Sequence, residues 1–243
     1  MLNTKWKGAC VESIGPLHIK RKLPMQDSHY LFLTKKCFVA AVSDGLGSKL
    51  HSDFGSRIAC RIFVKLAKNW ISRQIGSIET FISLFVEKWV SEVKKNKYEI
   101  RDCSATFLGV IYFQNTLYLF QLGDGMISCL FDDELKNLVM SDFKEESFSN
   151  MTKSLKENIV PNDWRIKTIS AEDLKSVFLC TDGISDDLQN GADIAFTSEL
   201  TEQYIFKTAR EIKKDMNKWI SNWPVPRHSD DKTAVFICRK DRV

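Results

Sequence analysis

Aspartate follows an apolar, strand-like segment at three places in this sequence, and each time glycine comes next. The pairs are Asp44-Gly45, Asp124-Gly125 and Asp182-Gly183, while the acidic pair Asp230-Asp231 stands just before an apolar run that begins near Thr233. A single Asp-Gly pair after a strand is usually a turn. Three pairs with an acidic strand entry favour a shared site, because antiparallel strands leaving their sheets at one edge would bring these carboxylates together.

Metal binding is the chemistry that such a cluster suits best. Crowded carboxylates repel one another and raise one another's pKa unless a cation lies among them. Oxygen ligands without a Cys or His cluster select Mg²⁺ or Mn²⁺ before Zn²⁺. Two ions bridged by one carboxylate would lie about 3.5–4 Å apart, and water shared between them becomes a nucleophile at neutral pH. The pattern predicts phosphoester hydrolysis without a covalent intermediate, since no nucleophile elbow or Cys–His signature is recognisable.

Short strands must position most of these residues. Runs rich in β-branched and aromatic residues predict strands over 29–34, 37–43, 106–113, 116–122, 177–181 and 233–238. Most of these runs are apolar on both faces, so the sheets need cover on both sides. Hairpin-like connections, as at Gln114-Asn115, favour antiparallel pairing.

Helical periodicity appears in three further segments. The first two have apolar faces made by Ile58, Ile62, Leu66 and Trp70 and by Phe81, Phe85, Trp89 and Val93, and the third extends over 200–220. Ser77 is the predicted N-cap of the second helix. Strands and helices in this order predict an α+β fold, an antiparallel β-sandwich with helices packed on both outer faces in four layers.

Composition is that of an ordinary globular protein. Hydrophobic residues make up 44% and charged residues 27% of the 243 residues. No linker or repeat divides the chain, so a single domain over 1–243 is predicted. Apolar runs are too short for a membrane span, the N-terminus does not resemble a secretory signal, and the scattered cysteines suit a reducing compartment, so we expect a cytoplasmic protein. The net charge of +4 comes in short basic clusters, which do not predict nucleic-acid binding.

The ordered motifs resemble those of the protein phosphatase 2C family over nearly the whole chain, from about Gly15 to Ile237. The matching segments are Met25-Gln26-Asp27, Asp44-Gly45-Leu46-Gly47-Ser48, Cys103-Ser104-Ala105-Thr106, Gly123-Asp124-Gly125, Thr181-Asp182-Gly183-Ile184-Ser185-Asp186 and Asp230-Asp231-Lys232-Thr233. Each motif is short, but their order, spacing and strand context agree. The resemblance implies metal-dependent hydrolysis of phosphoserine and phosphothreonine in proteins.

A bacterial branch of the family gives the best resemblance. Its features look like Gly15-Pro16-Leu17-His18, Pro24-Met25-Gln26-Asp27 and Asn150-Met151-Thr152 in this sequence. Members of that branch often accompany a serine/threonine kinase and a von Willebrand A-type protein. The resemblance therefore implies a phosphoprotein substrate, a kinase as a partner, and a monomeric enzyme that binds neither nucleic acid nor membrane.

The resemblance also implies a role for each matching residue. Asp44 would bridge two Mg²⁺ or Mn²⁺ ions, and Gly45 would offer its backbone carbonyl. Asp182 and Asp230 would complete the first ion, while Asp27 would support the water shell of the second. Asp124 and Asp186, together with Asp182, would form a third and weaker metal site.

The sequence departs from the wider family where the substrate phosphate is held. Lys22 stands where the family has a phosphate-binding arginine, five residues before Asp27, and a lysine holds phosphate only as a point charge. Arg21 or His18 could substitute for that arginine. Gln26 stands where animal enzymes have Glu, which leaves Asp27 as the main acid there.

A binding module and a different class of phosphatase are the alternatives to this function. A catalytically weak protein phosphatase 2C-like module could bind a kinase or phosphoprotein without turning it over. A haloacid-dehalogenase-like phosphatase would need Asp-x-Asp after its first strand, which Asp44-Gly45-Leu46 does not supply. In the family, the region corresponding to 132–176 forms a flap beside the active site, although its polar composition alone predicts an ordinary surface loop with a short helix.

Overall fold

The computed structural model describes residues 5–73, 76–141, 153–189, 191–226 and 228–240. Two five-stranded antiparallel sheets stack face to face, and helices cover the outer face of each sheet. The predicted α+β sandwich of four layers is thereby confirmed. The segment Asn150-Met151-Thr152 lies outside the described residues.

In the described part of the chain, ten strands build the two sheets. They are β1 (Trp6–Ser13), β2 (Ser28–Leu33), β3 (Cys37–Ser43), β4 (Phe107–Phe113), β5 (Thr116–Leu122), β6 (Met126–Phe131), β7 (Leu138–Ser141), β8 (Arg165–Ser170), β9 (Leu174–Cys180) and β10 (Lys232–Arg239). One sheet has the order β2-β3-β4-β5-β8 and the other the order β1-β10-β9-β6-β7. Pairing of Ser28 with Ser43 and of Ala234 with Cys180 puts the starts of β2 and β10 beside the ends of β3 and β9.

Six of the ten described strands were predicted from the sequence. The predicted bounds of β3 and β5 match the structure, and those of β2, β4, β9 and β10 differ by at most three residues. No strand was predicted at β1, β6, β7 or β8. In β1, Gly8 weakens the strand signal, yet a Cβ there would lie 2.4 Å from the carbonyl oxygen of Phe236 on the neighbouring strand.

Among the described residues, six α-helices cover the sheets and their edges. They are α1 (Pro16–Arg21), α2 (Ser52–Arg73), α3 (Ile78–Lys95), α4 (Asp182–Ser185), α5 (Asp193–Tyr204) and α6 (Ala209–Ser221). The predicted apolar face of α3 is fully buried, and Ser77 caps this helix by accepting a hydrogen bond from the backbone N–H of Thr80. On α2 the buried face is centred on Ala59, Phe63 and Ala67, one position away from the predicted stripe.

The single helix predicted over 200–220 is wrong, because the chain forms two helices there. A break at 205–208 separates α5 from α6. Thr208 accepts a hydrogen bond from the backbone N–H of Glu211, whose carboxylate accepts one from the N–H of Thr208. This capping box begins a new helix at a point where apolar spacing alone suggests continuity.

Three apolar clusters hold the layers together. One lies between the two sheets, one lies under α2 and α3, and one lies under α5 and α6. None of the described helices is long and apolar enough to cross a membrane. The described part of the segment 132–176 contains β7, β8 and the start of β9, so it is not the loop with a short helix that its composition suggests.

Candidate active site

Asp44 comes directly after β3, where two strands of one sheet part. Its backbone carbonyl accepts a hydrogen bond from the N–H of Thr106, 2.8 Å away, and its own N–H donates to the hydroxyl of Thr106. Gly45 follows and is enclosed, because a Cβ there would lie 2.7 Å from the carbonyl oxygens of Gln26 and Ser52. Only glycine fits at this position, so the turn that follows Asp44 is fixed by close backbone packing.

Asp182 reaches the same place from the other sheet, and Asp124 reaches it from the turn that joins the two sheets. Asp124 lies in the turn between β5 and β6, flanked by two glycines with φ near +90°. Asp182 is the first residue of α4, immediately beyond β9. Carboxylate oxygens of Asp44, Asp124 and Asp182 all lie within 4.8 Å of one another. The convergence predicted from the Asp-Gly pairs is therefore present in the structure.

Asp27 and Asp230 stand at the starts of β2 and β10. Asp27 is buried and accepts a hydrogen bond of 2.7 Å from the hydroxyl of Thr181. Asp230 is exposed and lines a cavity of about 650 Å³ together with Asp44, Asp124 and Asp182. We call this the first cavity, and we call these four aspartates, together with Asp27 beside Asp44, the acidic wall.

Asp27, Asp44 and Asp182 share a strong resistance to ionisation. Burial, with the charges of Asp27 and Asp182 nearby, raises the pKa of Asp44 well above its usual range. Burial raises the pKa of Asp27 to about 7, against the opposing effect of its hydrogen bonds with Asp44 and Thr181. Burial and the charge of Asp124 raise the pKa of Asp182 to about 8. A divalent cation would relieve this repulsion, so the donor set fits Mg²⁺ or Mn²⁺.

Basic side chains also line the first cavity. His18 and Arg21 come from α1, and Lys49 comes from the loop between β3 and α2. We call these three residues the basic wall. Lys22 is exposed and lies outside the residues that line the cavity, with a left-handed backbone (φ 58°) that ends α1. Of the three predicted phosphate-binding residues, the structure thus brings His18 and Arg21 to the site and leaves Lys22 apart.

Asp231 ties the basic wall to β10. Its buried carboxylate accepts hydrogen bonds of 2.7 Å from the backbone N–H groups of Gly15 and Gln26, which flank the α1 segment. Nδ1 of His18 lies 2.9 Å from Oδ2 of the same carboxylate. Asp231 therefore holds both ends of the segment that carries Arg21.

A second cavity, of about 220 Å³, lies on the other side of Asp182 and Asp230. Its wall contains Asp186, Asp187 and the buried side chain of Lys232. Asp186 is exposed and is not among the converging carboxylates in the described part of the chain. Burial lowers the pKa of Lys232, and the charges of Asp187 and Asp230 act against that effect.

Sequence reasoning missed the roles of Lys49, Asp231 and Lys232 in this arrangement. Lys49 lies four residues beyond Gly45, in a loop whose path the sequence does not reveal. Asp231 is adjacent to a predicted ligand, and nothing in its own type says that it points into the protein. Lys232 directly precedes a predicted apolar strand, and nothing in the sequence says that its side chain is buried.

A family model described as protein phosphatase 2C matches residues 14–223. The chain belongs to the protein phosphatase 2C family. The match ends before Asp230, so the position of that residue in the acidic wall comes from the structure. The comparison with curated protein sequences gives no match.

Solved structures of this family share the fold. The catalytic domain of the serine/threonine phosphatase PstP, in complex with two manganese ions, is 14% identical with a TM-score of 0.62, and the alignment covers 97% of this chain and 99% of that one. Serine-threonine phosphatase 2C from Toxoplasma gondii is 12% identical with a TM-score of 0.67, covering 99% and 96%. RsbX in complex with magnesium is 14% identical with a TM-score of 0.59, covering 98% of each. At these identities the likeness shows the protein phosphatase 2C fold.

Proposed function

We propose that this protein hydrolyses phosphoserine and phosphothreonine in proteins with the help of bound Mg²⁺ or Mn²⁺. One observation carries the proposal: the carboxylates of Asp44, Asp124 and Asp182 converge within 4.8 Å in a cavity that Arg21 and Lys49 also line. Membership in the protein phosphatase 2C family and the metal complexes of PstP and RsbX support it.

The acidic wall would hold two ions. Asp44, which is close enough to Asp27 and Asp182 to feel their charges, would be a ligand of both ions, and Gly45 would offer its backbone carbonyl. Asp182 and Asp230 would complete one ion, and Asp27 would orient the water shell of the other. When bound, such ions lower the pKa of coordinated water and offset negative charge on the phosphate. A third ion held by Asp124, Asp182 and Asp186 stays a prediction.

The basic wall would hold the substrate phosphate. Arg21 can donate two parallel hydrogen bonds to phosphate oxygens, which orients the ester better than a single ammonium does. Lys49 supplies a second positive charge on the same side of the cavity. His18, held near Asp231, is placed to donate a further hydrogen bond. These contacts would hold the phosphate group beside the acidic wall.

Dephosphorylation of a phosphothreonine peptide with Mn²⁺, with Mg²⁺ and with excess EDTA tests the proposal. We expect turnover with either ion and none with EDTA, restored when Mn²⁺ is added back. Full turnover in EDTA would contradict metal dependence. Tight peptide binding without turnover under saturating Mn²⁺ would instead identify a protein phosphatase 2C-like binding module.

We also propose a phosphoprotein partner associated with a serine/threonine kinase, and a monomeric, cytoplasmic enzyme that does not bind nucleic acid. The resemblance to the bacterial branch of the family supports the kinase. A pull-down with Asp44→Asn, which would retain the basic wall but lose turnover, tests it. Recovery of a kinase or its substrate with this variant and not with Arg21→Ala would support the proposal.

A further inference from the structure

Three leucines line the first cavity in addition to its charged residues. Leu17 lies on α1, Leu23 follows that helix, and Leu46 lies in the loop between β3 and α2. These are the two segments that also carry the basic wall. We call the three side chains the leucine surface. The cavity therefore presents apolar groups and positive groups from the same stretches of chain.

The leucine surface takes no part in the packing of sheets against helices. None of its members belongs to the three apolar clusters that hold the described layers together, and all three side chains are only half-buried. A single half-buried leucine is ordinary on a protein surface. Leucines from two separate segments that line one cavity are less ordinary, because apolar surface rimmed by polar groups marks sites of interaction.

Backbone hydrogen bonds hold the leucine surface in place. The N–H of Leu17 donates to the carbonyl of Ser229, and the N–H of Leu46 donates to the carbonyl of Ser104, each at 3.1 Å. The main chain thus presents these side chains to the cavity. Their chemistry can therefore be changed without removing a part of the three apolar clusters.

A phosphopeptide is the occupant that this arrangement fits. In the proposed reaction the phosphoryl group enters the first cavity, and only a few bonds separate phosphorus from the Cα atom of the phosphorylated residue. Because consecutive Cα atoms lie about 3.8 Å apart, the residues on either side must lie in the cavity or at its mouth. A cavity of about 650 Å³ also has the size of a site for a ligand much larger than phosphate.

We propose that the leucine surface selects phosphoproteins with a large apolar residue next to the phosphorylated serine or threonine. Arg21 and Lys49 would bind the phosphate, and the leucines would cover the neighbouring apolar side chain, which removes apolar surface of both partners from water. Specificity for the sequence then comes from residues that bind neither metal nor phosphate. This inference rests on the proposed phosphatase function and names the sequence class of its substrates.

Two phosphothreonine peptides that differ only beside the phosphorylated residue test the inference. One peptide has leucine on both sides and the other has asparagine, so their length and charge are equal. With saturating Mn²⁺, we expect the wild type to favour the leucine peptide by about three- to tenfold in kcat/KM, the effect of covering a partly open apolar surface. Leu17→Asn and Leu46→Asn should each lower that ratio, and the double variant should bring it close to one.

The controls separate the leucine surface from the catalytic machinery. On the asparagine peptide, the double asparagine variant should keep the wild-type kcat/KM. Ile19→Asn is the matched control, because Ile19 is 61% exposed on the same helix as Leu17 and lies outside the residues that line the cavity. It should keep the wild-type ratio, and so should Leu17→Met/Leu46→Met, which preserves the apolar character.

Equal turnover of the two peptides by the wild type would overturn the inference and leave the proposed function intact. A preference for leucine that survives in the double asparagine variant would do the same. A wild type that releases phosphate from neither peptide would instead overturn the proposed function, and the inference with it. If the asparagine variants melt at lower temperature than the wild type, Leu17→Ala/Leu46→Ala replaces them, and a wild-type ratio in that variant would overturn the inference.

An anionic membrane is the other surface that apolar and basic groups together could meet. Co-sedimentation with vesicles of phosphatidylserine and phosphatidylcholine distinguishes it from a peptide, and we expect the wild type to stay in the supernatant. Vesicle binding that the double asparagine variant loses, together with equal turnover of the two peptides, would assign the leucine surface to a membrane and overturn the inference.

Discussion

The two walls of the first cavity are built by different kinds of structure. Most of the acidic wall stands at strand ends or strand starts, where sheet pairing fixes the backbone. The basic wall stands on the six-residue helix α1 and on a loop, where the described hydrogen bonds to the rest of the protein are few. Strand ends can be recognised in a sequence from the apolar run before them, whereas a short helix takes its orientation from tertiary contacts that the sequence does not display.

The neighbours Asp230 and Asp231 show the difference within one dipeptide. Asp230 is exposed to the first cavity, and Asp231 is 1% exposed and bound to Gly15 and Gln26. The carboxylate of Asp230 lines the cavity that we propose to bind metal. The carboxylate of Asp231 anchors the α1 segment, which carries His18 and Arg21. We therefore expect losses on the acidic wall to affect metal binding, and losses at the base of the basic wall to affect stability and substrate affinity.

The largest effect is expected from the acidic wall. Asp44→Asn and Asp182→Asn should each lower kcat/KM by about three decades or more, because bound metal contributes several kcal/mol to transition-state stabilisation. Calorimetric titration with Mn²⁺ should show the loss of binding directly. Asp132→Asn, at an exposed aspartate outside both cavities, is the control. Wild-type Mn²⁺ affinity in either wall variant would remove that residue from the ligands.

Asp231→Asn should lower stability, whereas Asp230→Asn should lower Mn²⁺ affinity. An asparagine at 231 leaves one or two buried N–H groups poorly satisfied, at about 1–3 kcal/mol each, so unfolding in urea should become about 2–4 kcal/mol easier. Mn²⁺ affinity should change little in that variant. Asp230→Asn should bind Mn²⁺ more weakly with near wild-type stability. Equal loss of stability in the two variants would contradict the division between the walls.

Arg21 and Lys22 are adjacent cations with different positions. Arg21 belongs to the basic wall, and Lys22 lies outside it. Removing a charged hydrogen-bond partner costs about 1.5–3 kcal/mol, so Arg21→Ala should lower kcat/KM for a phosphopeptide by roughly one to two decades. Lys22→Ala should have little effect, because Lys22 does not line the cavity. Saturating Mn²⁺ keeps the acidic wall constant in both assays. A larger loss in Lys22→Ala would restore the assignment that family spacing suggests.

Sequence alone predicted most of the acidic wall and the sandwich that positions it. The Asp-Gly pairs mark strand ends, and β3 and β5 were predicted to the residue because polar turn residues bound them on both sides. The edge strand β8 was missed because its residues are largely exposed and it gains its strand character by pairing with β5.

The basic wall was only partly predictable. Counting back from Asp27 selects Lys22, but α1 ends there in a left-handed turn, and the preceding residue, Arg21, lines the cavity instead. Which side of a six-residue helix faces a cavity depends on its anchors, here the contacts of Asp231 with Gly15 and His18. Those contacts join residues more than 200 positions apart, so no local pattern contains them.

The smallest effect concerns the metal-free acidic wall and its dependence on pH. Asp27 and Asp182 have pKa values of about 7 and about 8 in the folded protein, against 3.8 for an ordinary aspartate. The folded state thus holds protons that the unfolded state has released, and the stability this contributes is lost as pH rises toward the folded pKa values. Each carboxyl contributes at most about 1.4 kcal/mol per pH unit. EDTA-treated protein should therefore unfold in less urea at about pH 8 than at about pH 6.5.

Two comparisons isolate the acidic wall from other titrating groups. Burial lowers the pKa values of His29 and His228, so these groups stabilise the folded state as pH rises. Their effect is confined mainly to pH values below about 6.5. Comparing about pH 6.5 with about pH 8 therefore limits their contribution. Metal-free Asp182→Asn should show a shallower loss of stability across the window. With saturating Mn²⁺ the trend should reverse, because an ion must displace the protons to bind and does so more easily at higher pH. If metal-free wild type and Asp182→Asn lost stability in parallel, the protons would belong to groups outside the acidic wall.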